Sequence, residues 1–270
     1  MNAVVQLGPV DLAIAASLVL GSAALSLALN LRVHRQLLWA ASRMVVQLLL
    51  VGLVLRLVFR TGSAPATLLI VLAMIAAAAR EVAVRPADRL RGSANLRIGA
   101  LVVGASSVAT VSLALLTAVR PSPWYDPRYA IPLMGIVLGS VMNAASLALD
   151  AFYAAVITGR GAIEARLALG ATAREALAPF TREATRRGLI PLINQMSAAG
   201  IITLPGIMTG QLLAGMDPIE AVKYQILLLF LLTGAGAMGS VGAVVLAGEA
   251  LTDDRQRLRL DRLRQRPRPR

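Results

Sequence analysis

Apolar residues in this 270-residue chain fall in long blocks, without the short alternation of a half-buried strand or the narrow stripe of a soluble helix. A block of about 20 apolar residues spans a hydrocarbon core of ~30 Å as a helix. Seven such blocks are predicted, at 9–29, 36–59, 64–79 (extending towards 84), 96–119, 131–157, 189–215 and 219–247. The fold class that follows is all-α, a polytopic membrane protein of about seven transmembrane helices. The sixth block carries Pro205 near its middle, which predicts a bend.

Basic residues between the blocks set the orientation. None precedes the first block, and the next connection has Arg32 and Arg35 beside His34. Arg60 follows alone, then the group Arg80, Arg85, Arg89 and Arg91, then Arg120 and Arg128. Residues 158–188 hold six arginines, the sixth connection only Lys223, and the tail eight. Rich and poor segments alternate, and cytoplasmic loops carry the Lys/Arg excess. The N-terminus is therefore expected outside and the C-terminus in the cytoplasm, with an odd number of spans. No positive n-region precedes the first block, so it reads as a retained helix and not a signal peptide. The organisation expected is one transmembrane domain at 1–248, interrupted by a cytoplasmic insert at 158–188. A basic cytoplasmic tail at 249–270, amphipathic or frayed, follows and is attracted to anionic lipid.

Composition narrows the function. Hydrophobic residues make up 57% of the chain, against 45–50% in soluble domains. The net charge of +13 lies beside membrane blocks, so it marks topology and predicts no nucleic-acid partner. There is no cysteine, which excludes disulfides, thiolate metal sites and cysteine nucleophiles. Lys223 is the only lysine and no glycine-rich turn precedes it, so the phosphate-binding loop of an ATPase is missing. The chain is expected not to be an enzyme and to bind no cofactor itself. Lys223 also opens the last block, whereas a retinal pump needs a lysine buried mid-helix. Abundant arginine and alanine point to a GC-rich bacterial genome, and the location expected is the bacterial inner membrane.

The insert at 158–188 carries a pattern. Residues 164–169 and 172–177 read as two short helices broken at Gly170. Glu164, Ala165 and Arg166, then Gly170 four residues on, followed by Ala171 and Thr172, resemble the EAA loop of ABC-transporter permeases. There the loop forms a coupling helix that docks on the ATPase subunit. Its usual ending is replaced here by Phe180 and Glu183. The run Leu204-Pro205-Gly206-Ile207-Met208-Thr209-Gly210, then Gly215-Met216-Asp217-Pro218 and Ala221-Val222-Lys223-Tyr224-Gln225, closely resembles the FetB-type iron-export permease family. That family also includes the plant aluminium-sensitivity permeases. Arg43 with Gln47 and Leu48, Ile131-Pro132 with Gly135, Gly139 and Met142, and Leu169-Gly170-Ala171-Thr172 extend the likeness over about residues 10–248. Ser140 stands where many relatives have Asn. The resemblance implies the permease subunit of an ABC exporter of iron or a related small substrate. It implies a permease homodimer and a separate ATPase carrying ATP and Mg.

Polar residues inside the blocks are the remaining candidates, because an ionisable group at membrane depth suggests function. Arg43 and Asp150 each lie about seven residues from a cytoplasmic helix end, roughly 10 Å deep. They are expected to pair, either lining a vestibule or ordering the bundle, and Gln47 lies one turn deeper than Arg43 on its face. Non-helical backbone at depth must line a cavity or be buried in protein. Thr203, Leu204, Pro205, Gly206, Met208, Thr209, Gly210 and Gln211 are therefore read as a pathway or gate, or as a packing kink at a dimer interface. Gly234, Gly236, Gly239 and Gly242 read as close helix packing. Met142, Met196 and Met208 read as core filling, and His34 as solvated. Asp150 is the one mid-span carboxylate, so any metal site is unknown from sequence. An ion-coupled secondary transporter is the alternative function and a membrane scaffold a third; co-purification with an ATPase would separate them.

Overall fold

The computed structural model describes residues 8–264; the ends of the expected membrane domain (1–7) and of the basic tail (265–270) lie outside them. The chain forms two compact units, Met1–Gly62 and Ser63–Arg270.

The first unit is a helical hairpin of α1 (Pro9–Ala28) and α2 (His34–Thr61). The turn between them is local chemistry. Asn30 adopts a left-handed φ of 53°, and the Asn30 and Leu31 N–H groups donate to Leu27 and Ser26 carbonyls. These bonds satisfy the carbonyls that a helix end leaves free. Both helices are apolar on nearly every side and bury only Ala23, Ser26 and Val58 within the chain. Such helices belong in lipid or against another membrane surface.

The second unit contains α3 (Ala64–Val84), α4 (Ala94–Leu113, running into a π turn at Ala114–Val119) and α5 (Pro127–Thr158). It continues with α6 (Arg160–Ala168), α7 (Ala173–Ala198), α8 (Gly206–Leu213) and α9 (Pro218–Ala250). α5 is the axis and packs against α3, α4, α7 and α9. It starts at an Asp126 cap that accepts from Arg128 N at 2.9 Å, and buries Val137, Val141, Ala145, Leu149, Phe152 and Val156 completely. Burying a polar side chain here requires a partner. Tyr153 Oη donates to Asn95 Oδ1 at 2.8 Å, and Asn95 Nδ2 donates to the Ala83 carbonyl at 3.3 Å, tying α5, α4 and α3 together.

Among the described residues six helices are long and apolar enough to cross a membrane: α1, α2, α3, α4 with its π turn, α5 and α9. The remaining predicted block, 189–215, is not one bent helix. The chain leaves helical geometry after Ala198 and resumes at α8, so the block is the end of α7, an irregular turn and a short helix. Pro205 begins the second helix as its N-cap residue instead of bending a continuous one, since proline supplies no N–H and suits a helix start.

Two other expectations change. The second short helix of the insert is the first two turns of α7, a helix of 26 residues. Pro179 and Pro191 lie inside it without ending it. The tail is also neither frayed nor an isolated amphipathic helix as far as Arg264. Leu251 and Leu263 are buried, and Leu263–Arg264 (β2) pairs antiparallel with Arg89–Leu90 (β1) of the α3–α4 connection. Arg262 Nη1 donates to the Ala250 and Thr252 carbonyls at 2.8 and 3.1 Å, closing the end of α9. Leucines at 251, 258, 260 and 263 supply the apolar contacts that hold this strap on the bundle.

Candidate functional site

The insert is a tight knob. α6 buries Ile163, and Glu164 Oε1 accepts from Arg160 Nε at 2.7 Å one turn away. At its end Gly170 takes φ +91°, a region that favours glycine. Gly170 N donates to Leu167 O and Ala171 N to Arg166 O, the paired bonds of a left-handed helix stop. Thr172 then caps α7. Glu175 N donates to Thr172 Oγ1 at 3.3 Å, and Thr172 N donates to Glu175 Oε2 at 2.8 Å. This reciprocal arrangement satisfies two orphan donors. Hydrogen bonds from the Thr172 backbone, then its hydroxyl, hold the Glu175 carboxyl below its usual pKa. The tail contributes as well, because Gln256 Oε1 accepts from Ala173 N at 2.6 Å. Of the predicted coupling residues, Gly170, Ala171 and Thr172 form this turn, Glu164 and Ala165 lie on α6, and Arg166 supplies the carbonyl that closes it. Leu169 projects from the turn at 88% exposure.

From the knob α7 runs without interruption between α5 and α9. Gly188 marks the crossing: a Cβ there would lie 2.6 Å from the Ala144 carbonyl, 2.8 Å from Ser240 Oγ and 2.9 Å from Ala148 Cβ. Further on, Thr233 Oγ1 donates to Met196 Sδ at 3.3 Å, so α7 ends level with the middle of α9. Of the four glycines predicted to pack in α9, Gly236, Gly239 and Gly242 meet neighbouring helices, while Gly234 faces open space.

The break at Ala199–Pro205 therefore lies near mid-depth. It folds on itself: Gly200 N donates to Thr203 O, and Thr203 N and Oγ1 both donate to Ala198 O. In α8, Thr209 Oγ1 donates to the Pro205 carbonyl at 3.3 Å. Gln211 Oε1 is enclosed without a hydrogen-bond partner. The apolar side chains are turned outward, with Ile201 and Ile202 at 88% and 80% exposure and Leu213 at 80%.

A second polar feature runs along α5. Ser140, Asn143 and Asp150 recur at helical spacing on one face, and two cavities open over them. One, of about 250 Å³, is lined by residues including Ser140, Asn143, Gly188, Pro191 and Gln195. The other, of about 510 Å³, is lined by Arg85, Ala87, Asn143, Ser146, Leu147, Asp150 and Pro191. Asn143 and Pro191 belong to both, which makes them consecutive parts of one groove along α5, walled by α7 and, at one end, by the residues that follow α3. Arg85 Nη1 donates to Asn143 Oδ1 at 2.6 Å and lies 3.8 Å from Glu81. Ala87 N donates to Asp150 Oδ1 at 2.8 Å, and Ser140 Oγ donates to the Leu232 carbonyl at 3.1 Å. Ser146 Oγ is buried without a partner. A polar groove at membrane depth belongs against water or protein and not hydrocarbon.

The groove gathers Asp150 from the predicted set but none of Thr203–Gln211. Arg43 and Gln47 lie on α2, in the first unit. Arg85, Asn143 and Gln195 are additions. Arg85 reads in the sequence as one more topology arginine, whereas Asn143 carried a usable signal, three residues from Ser140 and seven from Asp150. Among the described residues no group of three or more His, Cys, Asp or Glu side chains could hold a metal ion.

The family described as "Uncharacterised protein family (UPF0014)" matches residues 9–251. The UPF0014 membrane protein slr1647 of Synechocystis is 40% identical over 78% of this chain and 81% of its own length. The probable iron export permease protein FetB of Escherichia coli is 32% identical over 94% of this chain and 96% of its own. The protein ALUMINUM SENSITIVE 3 of Arabidopsis thaliana is 29% identical over 88% and 85%. No solved structure matches.

Proposed function

This multi-pass membrane chain belongs to the UPF0014 family, and from that premise we propose that it is the permease subunit of an ABC exporter in the bacterial inner membrane. A separate ATPase subunit supplies the energy and holds the ATP and Mg. The name of the Escherichia coli relative supports export and iron as cargo. Iron or a related small solute is the substrate class proposed here.

The observation that carries this reading is the continuity of α7. One helix joins the capped knob at Gly170–Thr172 to the break at Ala199–Pro205. A rod of 26 residues, ~39 Å long at 1.5 Å per residue, transmits displacement that a flexible loop would absorb. When the ATPases close, the knob moves, and α7 turns about its crossing with α5 and α9 at Gly188. The break and α8 shift at the far end, and the α5 groove beside Pro191 changes its opening. Glu164, Ala165, Arg166, Gly170, Ala171 and Thr172 are the docking residues, and Thr203–Gln211 form the gate.

We also propose a homodimer. Irregular backbone at mid-depth must be covered by protein or face water. Ile201, Ile202, Leu204 and Leu213 offer an exposed apolar surface around that backbone, which a second copy would cover.

The test uses the absence of native cysteine. Ala171→Cys, expressed with a candidate ATPase carrying single cysteines around its nucleotide domain, is expected to cross-link in an ATP-dependent pattern. Retained co-purification and ATPase stimulation after residues 164–172 are replaced by a Gly/Ser linker would rule the coupling role out.

A further inference from the structure

A groove of about 690 Å³ lies between the first turns of α7, the last turns of α9 and the tail strap. The gate does not reach it, and of the docking residues only Thr172 lines it. Its wall is apolar, formed by Leu177, Ala178, Val244 and Val245. Val244 lies six residues before the end of α9, so the wall reaches ~9 Å below the helix end. Its mouth carries Arg174 and Arg182, with Glu249 as the single lining carboxylate.

The arginines of this region divide into two kinds. Arg160 and Arg187 are spent on Glu164 and Glu183, at 2.7 and 3.0 Å. Arg174 and Arg182 make no hydrogen bond or ion pair among the described residues. Of the other polar side chains lining the groove, two are engaged: Gln256 Oε1 accepts from Ala173 N, and Thr252 Oγ1 donates to the Gly248 and Glu249 carbonyls. Both walls are helical, so neither presents a strand edge. An extended polypeptide would find no ladder of donors and acceptors here. The groove offers an apolar wall and excess positive charge at the level where α9 leaves the membrane, a combination that complements a phospholipid at the headgroup–acyl boundary.

We propose that this groove binds an anionic phospholipid, its headgroup phosphate held by Arg174 and Arg182 and an acyl chain lying along Ala178 and Val245. The lipid would sit against the capped start of α7, beside the element that receives the ATPase, yet its binding does not depend on the ATPase.

The test takes the full-length chain into phosphatidylcholine nanodiscs with increasing phosphatidylglycerol, and reads the thermal unfolding midpoint and lipid retention by native mass spectrometry. Saturable retention of phosphatidylglycerol and a raised midpoint are expected. Arg174→Gln with Arg182→Gln should weaken retention about thirtyfold, as expected for two basic contacts. Val245→Trp, which fills the wall and leaves both charges, should weaken it as well, and Arg160→Gln should not. Equal effects of phosphatidylcholine and phosphatidylglycerol, full reproduction of the shift by inorganic phosphate, or retention unchanged in both groove variants would overturn the proposal.

Discussion

The side-chain carbonyl of Gln256 accepts a hydrogen bond from the backbone N–H of Ala173 at 2.6 Å, across 83 residues of sequence. It joins the tail strap to the first residue of α7, where an N–H has no partner inside the helix. Gln256→Ala is expected to loosen the strap by about 1 kcal/mol, the usual net worth of such a bond. Hydrogen exchange should accelerate at residues 251–264 and 173–176 and remain unchanged in α5. Unaltered exchange in both segments would show that the bond does not hold the strap.

Thr172→Ala removes one half of the capping pair and should destabilise the start of α7 by about 1 kcal/mol. Because Thr172 caps α7 and stands among the proposed docking residues, ATPase binding and ATPase stimulation by the reconstituted complex should both fall. Wild-type binding and stimulation despite the destabilised helix start would remove Thr172 from the coupling element.

Gly188 sits where α5, α7 and α9 meet. Gly188→Ala places a methyl group against a backbone carbonyl, and overpacking of this kind costs about 1–3 kcal/mol. Denaturation in mild detergent should show the loss, with a larger loss for Gly188→Val. Wild-type stability in both would mean the crossing opens freely.

The groove on α5 makes a separate prediction. Asn143→Ala removes the acceptor for Arg85 without touching the knob, so transport should fall severalfold with basal ATPase activity and ATPase association retained.

Acid should release the strap before the bundle. Asp261, hydrogen-bonded by Arg259 through two nitrogens, has its pKa lowered to about 2, chiefly by that bond. Asp253 is lowered as well, first by the Arg257 backbone N–H. A carboxyl whose folded pKa is depressed contributes stability above its unfolded value, near 3.9, and loses it as pH falls towards the folded value. Exchange at 251–264 should therefore be flat from pH 7 to about 4 and rise below, while α5 amides stay protected. A rise beginning near pH 6 would point to another group.

Most of the membrane architecture was legible in the sequence. Apolar blocks long enough to span a bilayer can hardly be anything else in lipid, because every backbone polar group must be satisfied within the segment. Six of the predicted spans stand as continuous helices for that reason. The turn at Gly170 and the helix start at Thr172 were also readable, since a left-handed glycine and a capping threonine act over three or four residues. Three features depended on tertiary structure. Pro205 marks an interruption in any reading, but packing of α7 on α5 and α9 decided that the chain breaks there and that two inner prolines do not end α7. The arginine-rich tail carries too few apolar residues to announce a fold, yet four leucines find sites on the bundle and Leu263–Arg264 complete a sheet with residues far away. The α5 groove needed α3 to deliver Arg85 beside Asn143. Local propensity and hydrophobic length are properties of the chain itself, whereas which polar groups meet is settled only when helices distant in sequence pack.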